Sequence, residues 1–219
     1  MLGHPRSTVY GVLRRAGLSR LAHLDRPTAT PLRYERERPG ELVHIDVKKL
    51  GRIRSGGGWK IRGRNYQTRR DRAWGPIGYD NLHAAIDDHS RYAYVEVHPD
   101  ERGTTCAGFL ARAAAHFGEL GVGIERVMTD QARNYVLSTD LQAVLARIAA
   151  RHIVTRPYRP QTNGKVERFN RTMLEEWAYT RLYRSNEARL AALPRWVETY
   201  NRRRPHTALG GRPPPSRLQ

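Results

Sequence analysis

The sequence contains almost no cysteine and no long apolar run, and each absence excludes a class of protein. Cys106 is the single cysteine among 219 residues, which excludes an internal disulfide and a cysteine-based zinc site. No stretch of about 18 apolar residues occurs, so no membrane-spanning helix is expected. The N-terminal residues lack the apolar core of a secretory signal, and we therefore expect a cytoplasmic protein.

Acidic residues are also scarce, and the imbalance indicates a polyanionic partner. The chain carries 39 Lys and Arg against 21 Asp and Glu, a net charge of +18 at pH 7. Such an excess is typical of proteins that bind nucleic acid. A basic protein of the membrane surface would need an amphipathic cationic helix with exposed aromatic residues, and none stands out. The hydrophobic content of 39% is that of a globular chain.

The first residues predict one basic helix. Residues 5–24 have helical spacing of apolar positions, with Ser7 or Thr8 as a cap and Gly17 as the stop. This pattern fits the recognition helix of a helix-turn-helix or a plain solvated helix. Because the chain starts at Met1, the first helix of a helix-turn-helix would be missing.

The remaining residues predict an alternation of strands and helices. The predicted strands cover residues 41–50, 81–88, 91–99, 124–130 and 152–157. The predicted helices cover residues 104–120, 139–151, 163–182 and 186–204. Thr139 is the expected cap of the second of these helices, and Pro194 is a possible break in the last. Residues 51–79 are rich in Gly and Arg and predict a long basic loop or hairpin.

This order predicts an α/β fold with a mixed five-stranded sheet flanked by helices. Short turns join the first three strands, which are therefore expected to be antiparallel. The last two strands follow helical crossovers and are expected to run parallel to the first. This is the ribonuclease H-like arrangement. A doubly wound dinucleotide fold is the alternative, but no helix follows the glycines at 56–58 as that fold requires.

Four regions follow from these predictions. Residues 1–25 are a partial helix-turn-helix remnant, and residues 26–40 are a Pro-rich linker. Residues 41–183 are expected to form the ribonuclease H-like core with the basic insertion 51–79, and residues 184–219 a C-terminal helix and a basic, Pro-rich tail.

Three acids lie where the predicted sheet would bring them together. Asp46 is inside the first strand, Asp130 ends the fourth, and Glu167 lies in the first turns of the helix after the fifth. Carboxylates gathered from distant sequence repel one another and are tolerated mainly around hard divalent cations, magnesium or manganese. Two such ions, about 4 Å apart, could clamp the attacking and leaving oxygens of a phosphodiester.

Each acid also has a structural explanation. Glu167 could pair with Arg171 at i,i+4, and Asp130 could cap the turn after it. Asp87 and Asp88 are rivals for the first position, but their sequence is typical of a hairpin turn. His44 could be a metal ligand, although packing behind the site is the better explanation.

Five segments then carry a family resemblance: HIDVKKL, AIDDHSRYAYVEV, VMTD, RPYRPQTNGKVERFNRTM and YNRRRPHTALGGRPP. Together they resemble the integrase-core transposases of bacterial insertion sequences, DDE recombinases related to the retroviral integrase catalytic domain. The match covers about residues 40–215. The resemblance implies a catalytic and metal-binding triad of Asp46, Asp130 and Glu167 that holds two Mg²⁺ or Mn²⁺ ions.

The resemblance also implies DNA as partner. It implies metal-dependent cleavage at the ends of an insertion sequence, strand transfer to target DNA, a homo-oligomer on the DNA and association with the nucleoid. The residues expected to contact DNA are polar or basic: Arg156, Arg159, Gln161, Asn163, Gly164, Lys165, Arg168, Arg171, Arg202 and Arg203. Asn163 is also expected to cap the helix that carries Glu167.

Two departures from the family pattern support an alternative. The family commonly has Asn-Gly after the second acid, whereas this chain has Gln131-Ala132. If the glycine position requires a positive φ, alanine would strain the turn and shift Asp130. The DNA-binding part before the core is also nearly absent. A truncated, catalytically impaired DNA-binding remnant is therefore the alternative, and a nuclease acting on RNA–DNA hybrids is a weaker one.

Overall fold

The computed structural model describes residues 5–16, 35–66, 72–73, 75–155 and 163–218. The chain divides into two compact units, Met1–Glu35 and Arg36–Gln219. The strands of the second unit are β1 (Val43–Gly51), β2 (Tyr79–Asp87), β3 (Ala93–His98), β4 (Arg126–Thr129) and β5 (Arg151–Val154).

The helices, in chain order, are α1 (Arg6–Arg15), α2 (Trp59–Arg62), α3 (Gly103–Glu119), α4 (Arg133–Val136), α5 (Thr139–Arg147), α6 (Gly164–Met173), α7 (Asn186–Ala191) and α8 (Leu193–Arg202). A π-helical turn, Leu174–Ala178, directly follows α6, and short 3₁₀ turns cover Thr207–Leu209 and Pro214–Arg217. No helix in the described part of the chain combines the length and apolar content needed to cross a bilayer.

The five strands form one mixed sheet in the order β3-β2-β1-β4-β5. β1 pairs antiparallel with β2, and β2 antiparallel with β3. β4 pairs parallel with β1, and β5 parallel with β4. The predicted ribonuclease H-like sheet is therefore confirmed, with the first strand at its centre. The chain can return to a parallel strand only through a crossover, which α3 and α5 provide.

Two apolar layers cover the sheet, because side chains alternate between its faces. On one face Val43 and Ile45 of β1 pack with the buried residues of α3 and α5. On the other, Leu50 of β1 packs with Val166 and Phe169 of α6. Asp46 lies one residue after Ile45 and therefore belongs to the face that α6 covers.

Several helix ends differ from the prediction. Pro5 rather than Ser7 or Thr8 occupies the cap position of α1, and no side chain caps it. A proline suits this place because it has no N–H to leave unsatisfied in the first turn. Ser138, not Thr139, caps α5 by accepting a hydrogen bond from the Leu141 N–H. Gly17 lies outside the described residues.

The last predicted helix and the insertion are also more segmented than expected. Residues 186–204 form two helices, α7 and α8, with Pro194 in the first turn of α8. Residues 51–79 leave the sheet where Gly51 pairs with Tyr79, and they contain the one-turn helix α2.

Candidate active site

Asp46 lies in β1, and Asp130 is the first residue after the adjacent strand β4. β1 and β4 are parallel, and their last paired residues are His44 and Met128. Asp46 and Asp130 each lie two residues beyond that pair. Since neighbouring strands are about 4.8 Å apart, this register brings the two carboxyl groups to one end of the sheet centre.

The two carboxyl groups also interact electrically. Burial raises the pKa of Asp46 to about 6, and the neighbouring charge of Asp130 acts in the same direction. Asn170 of α6 opposes this shift, because its Nδ2 donates a 2.7 Å hydrogen bond to Asp46 Oδ2. The pair is therefore a site where negative charge is concentrated and only partly compensated by the protein.

The turn after Asp130 is unstrained. Asp130 Oδ1 accepts a 3.0 Å hydrogen bond from the Ala132 N–H. Ala132 has φ −61°, and Gln131 is not among the non-glycine residues with positive φ. The expected strain at Gln131-Ala132 is therefore absent. Alanine fits because this turn keeps an ordinary backbone conformation, and its N–H closes the turn on the Asp130 carboxylate.

Glu167 is exposed on α6, one turn before Asn170. Residues three apart lie on the same side of a helix, so Glu167 lies on the side of α6 that reaches Asp46 through Asn170. The alternative explanation, an ion pair with Arg171, is wrong, because Arg171 Nε donates to Glu175 Oε1 at 3.2 Å. Glu167 makes no ion pair with the described residues.

The three acids are not gathered into a closed cluster. Among the residues that the structure describes, no group of three His, Cys, Asp or Glu side chains is arranged as a metal site. Two acids at the sheet and a third on the covering helix form an open arrangement. The triad assignment therefore stays a prediction.

Two buried polar atoms beside the acids lack hydrogen-bond partners among the described residues. One is Asn170 Oδ1, on the side chain that holds Asp46. The other is the hydroxyl of Tyr135 on α4, whose pKa is raised by burial first and then by the charges of Cys106, Asp46 and Asp130. Buried polar atoms without partners commonly mark a place where water or a ligand binds.

A buried network behind the acids fixes the start of α6. His44 is fully buried, with Nε2 2.8 Å from Asp88 Oδ1 and Nδ1 3.0 Å from Asn163 Oδ1. Lys165 pairs with the same Asp88 carboxylate. Burial alone would raise the pKa of Asp88, but hydrogen bonds from His44 and Lys165 outweigh it and hold that pKa below its ordinary value.

This network corrects the expected cap and agrees with packing as the role of His44. Asn163 occupies the cap position of α6, but its side chain makes no cap hydrogen bond because it faces His44. Lys165 pairs with Asp88, with a side chain only 17% exposed, and so is placed to hold α6, while its DNA contact stays a prediction. His44 is enclosed by Asp88 and Asn163 and is not a metal ligand.

The rival acids have structural roles. Asp87 closes the β2–β3 turn, accepting hydrogen bonds from the Ser90 N–H and hydroxyl at 2.6 Å and from the Gly40 N–H at 2.8 Å. Sequence reasoning recognised this turn but missed Asp88 as the partner of Lys165 and Asn170 as the partner of Asp46. The position of Asn170, three residues after Glu167, was the available signal.

The remaining predicted DNA contacts fall into two groups. Arg168, Arg171, Arg202 and Arg203 are exposed, and Gly164 is open to its surroundings, since an added Cβ there would meet nothing within 4 Å. α6 and α8 cover the same face, with the rings of Phe169 and Tyr200 4.9 Å apart. Arg156, Arg159 and Gln161 lie outside the described residues.

The family of the chain follows from its sequence match. Residues 36–160 match the integrase core domain family, and residues 148–214 match a second integrase core domain family. The chain belongs to the integrase core domain family. Integrase core domains are polynucleotidyl transferases that act in DNA integration and typically depend on divalent metal ions.

Solved integrase structures share the fold of this integrase core. The catalytic core domain of HTLV-2 integrase, solved with magnesium in a trimeric form, has TM-score 0.56 and 15% identity, covering 84% of this chain and 99% of that one. The simian T-cell lymphotropic virus intasome, in complex with PP2A regulatory subunit B56 gamma, has a chain with TM-score 0.59 and 17% identity. The match covers 97% of this chain and 73% of that one. The catalytic core domain of BIV integrase has TM-score 0.50 and 15% identity, and the match covers 80% of this chain and 91% of that one.

Proposed function

We propose that this integrase core is a DDE transposase that cleaves DNA at the ends of an insertion sequence and transfers the strand to target DNA. The observation that supports this most is the position of Asp46 in β1 beside Asp130 at the end of the parallel strand β4, where the Asp130 charge acts on Asp46. Two acids without a cation between them would be a costly arrangement in a purely structural role.

The donor set fits hard divalent cations. Asp46, Asp130 and Glu167 offer only carboxylate oxygens, the ligands that Mg²⁺ and Mn²⁺ prefer. Two such ions would polarise the scissile phosphate and activate the attacking hydroxyl. The HTLV-2 core was solved in complex with magnesium, which agrees with this choice of metal.

The protein residues then have separate roles. Asp46 and Asp130 form the fixed half of the metal site, and Asn170 orients Asp46 through its 2.7 Å hydrogen bond. Glu167 is the third ligand and is positioned by α6, which the pairing of Lys165 with Asp88 ties to the sheet.

We propose DNA as the partner of the exposed cations around this site. Arg168 and Arg171 lie beside Glu167 in sequence and are exposed, so they are placed to hold a phosphate backbone near the acids. Arg202 and Arg203 extend the basic surface on α8, while Arg156, Arg159, Gln161 and Gly164 remain proposed contacts.

Joining two DNA ends to a target requires more than one active site, so we propose a homo-oligomer that assembles on DNA at the nucleoid. The trimeric HTLV-2 core and the simian viral intasome agree with assembly. The alternative, a catalytically impaired remnant, rested partly on strain in the turn after Asp130. That support is lost, because Ala132 has an ordinary backbone conformation.

Strand transfer with pre-cut end DNA and Mn²⁺ tests the proposal. Wild type should join labelled ends to a target plasmid, and Glu167→Gln should reduce joining by at least about 100-fold, as for loss of an essential charge-stabilising group. Glu119→Gln, which removes an exposed acid at the end of α3 on the other face of the sheet, is the control and should stay active. DNA binding by wild type without any joining would overturn the proposal in favour of the remnant.

A further inference from the structure

The insertion carries an exposed surface that combines aromatic rings with cations. Lys60 Nζ lies 5.9 Å from the ring centre of Trp59 and 5.2 Å from that of Tyr179. The guanidinium of Arg64 lies 5.2 Å from the Trp59 ring. These four residues, from α2, the residues just after it and the end of the π-helical turn, are named the basic-aromatic surface.

Both rings of this surface face solvent. Trp59 is 48% exposed and Tyr179 is 54% exposed, and neither belongs to the buried layers of the sheet. Large exposed aromatic residues that lie together commonly mark a binding surface rather than a packing defect. The exposed part of each residue is therefore available to a further flat partner.

The charge of the insertion decides what kind of partner fits. Residues 51–79 contain eight Lys and Arg and a single acid, Asp71, together with two Trp and two Tyr. A chain of phosphates with attached flat bases complements both features, because cations follow the phosphates and aromatic rings stack on bases. Paired bases hide their faces inside the duplex, so stacking selects unpaired DNA.

The position of the surface relates it to the acids. Tyr179 lies 12 residues after Glu167 along the segment formed by α6 and the π-helical turn. At about 1.5 Å per helical residue this corresponds to at most about 18 Å along the segment. A strand leaving the acids along α6 would therefore reach the two rings.

We infer that the basic-aromatic surface binds unpaired DNA bases within about 18 Å of the scissile phosphate, with Trp59 and Tyr179 stacking on bases and Lys60 and Arg64 holding phosphates. The distance from the scissile phosphate rests on the proposed function, whereas the preference for unpaired DNA rests on the surface alone.

Fluorescence anisotropy in metal-free buffer separates stacking from charge. The probes are a labelled oligothymidine of about 20 nucleotides and a duplex of the same length, longer than one binding site. Trp59→Ala and Tyr179→Ala should each weaken oligothymidine binding by about 5-fold to 100-fold and duplex binding by no more than about twofold. Trp59→Phe should restore most of the affinity, because it restores a ring.

Two controls keep the result specific. Leu137→Ala removes a still more exposed apolar side chain, directly after α4, and should change neither affinity. Lys60→Gln should reduce the dependence of log affinity on log salt for both probes by about one phosphate contact. Urea unfolding midpoints equal to that of wild type would show that the Trp59, Tyr179 and Lys60 variants keep a stable fold.

Equal oligothymidine affinity of wild type and Trp59→Ala would overturn the inference, and so would equal losses on both probes. Binding to anionic lipid vesicles that Trp59→Ala abolishes, without a loss on oligothymidine, would also overturn it. The strand-transfer assay is read separately. If wild type transfers strands but the ring variants do not lose oligothymidine binding selectively, the inference about this surface is wrong and the proposed function stands. If the ring variants lose oligothymidine binding selectively but wild type transfers no strand, the proposed function is wrong and the inference that the surface binds unpaired DNA stands.

Discussion

The Asp46 carboxyl lies between the covering helix α6 and a second carboxyl, and both surroundings disfavour its charge. Burial raises its pKa from 3.8 to about 6, with Asp130 adding to the shift. Between these two values the folded chain holds a proton that the unfolded chain has released. The free energy of unfolding therefore falls as pH rises through this window, because the folded state binds more protons.

Replacing Asp46 with Asn should stabilise the metal-free protein near neutral pH. The substitution removes a buried charge whose ionisation opposes folding, so unfolding in urea should require up to about 3 kcal/mol more near pH 7. Near pH 4 the gain should be small, because Asp46 is largely protonated in the folded wild type. An equal gain at both pH values would show that the Asp46 charge is not the cause.

The start of α6 is fixed by the buried contacts of Asp88 with His44 and Lys165. This helix carries Glu167 and Asn170, so its position on the sheet determines whether the third acid can reach the other two. The contacts lie 44 and 77 residues apart in sequence. Local propensity does not predict them.

Asp88→Asn should therefore destabilise the fold by about 3–5 kcal/mol, because it leaves a buried Lys165 charge without its partner. The double variant Asp88→Asn with Lys165→Met should recover part of this loss, since it removes both charges. Urea denaturation of the wild type, both single variants and the double variant gives the coupling energy. A double variant no more stable than Asp88→Asn would mean that the two residues are not energetically coupled.

The strands were predictable because their pattern is local, and the strand order follows from connection lengths. Asp46 was identifiable as an acid within an apolar strand. The helix caps could not be predicted in the same way. Ser7 and Ser138 are equally good cap residues by type, but only Ser138 caps a helix. The contacts of Asn163 and Asn170 depend on how α6 lies across β1, which the sequence does not encode in any short pattern.

Across the chain, the net charge of +18 predicts DNA binding that weakens steeply with salt. If Arg168 and Arg171 each neutralise one phosphate, Arg168→Gln and Arg171→Gln should each reduce the salt slope of duplex binding by about 0.9. Arg147→Gln on α5, which packs on the opposite face of the sheet, should leave the slope unchanged. If all three variants kept the salt slope of wild type, neither Arg168 nor Arg171 would contact a phosphate.

Isothermal titration calorimetry with Mn²⁺ is the most direct test of whether Asp46, Asp130 and Glu167 form one metal site. Wild type should bind Mn²⁺ and, near pH 6, release protons, because Asp46 has a pKa of about 6 and must lose its proton to act as a ligand. Proton release is obtained by repeating the titration in two buffers of different ionisation enthalpy.

Asp46→Asn should abolish the proton release, and Asp130→Asn and Glu167→Gln should each weaken Mn²⁺ binding at least about 10-fold. Glu175→Gln should bind like wild type. Equal Mn²⁺ binding by wild type and Asp130→Asn would contradict the metal site and, with it, the proposed transposase chemistry.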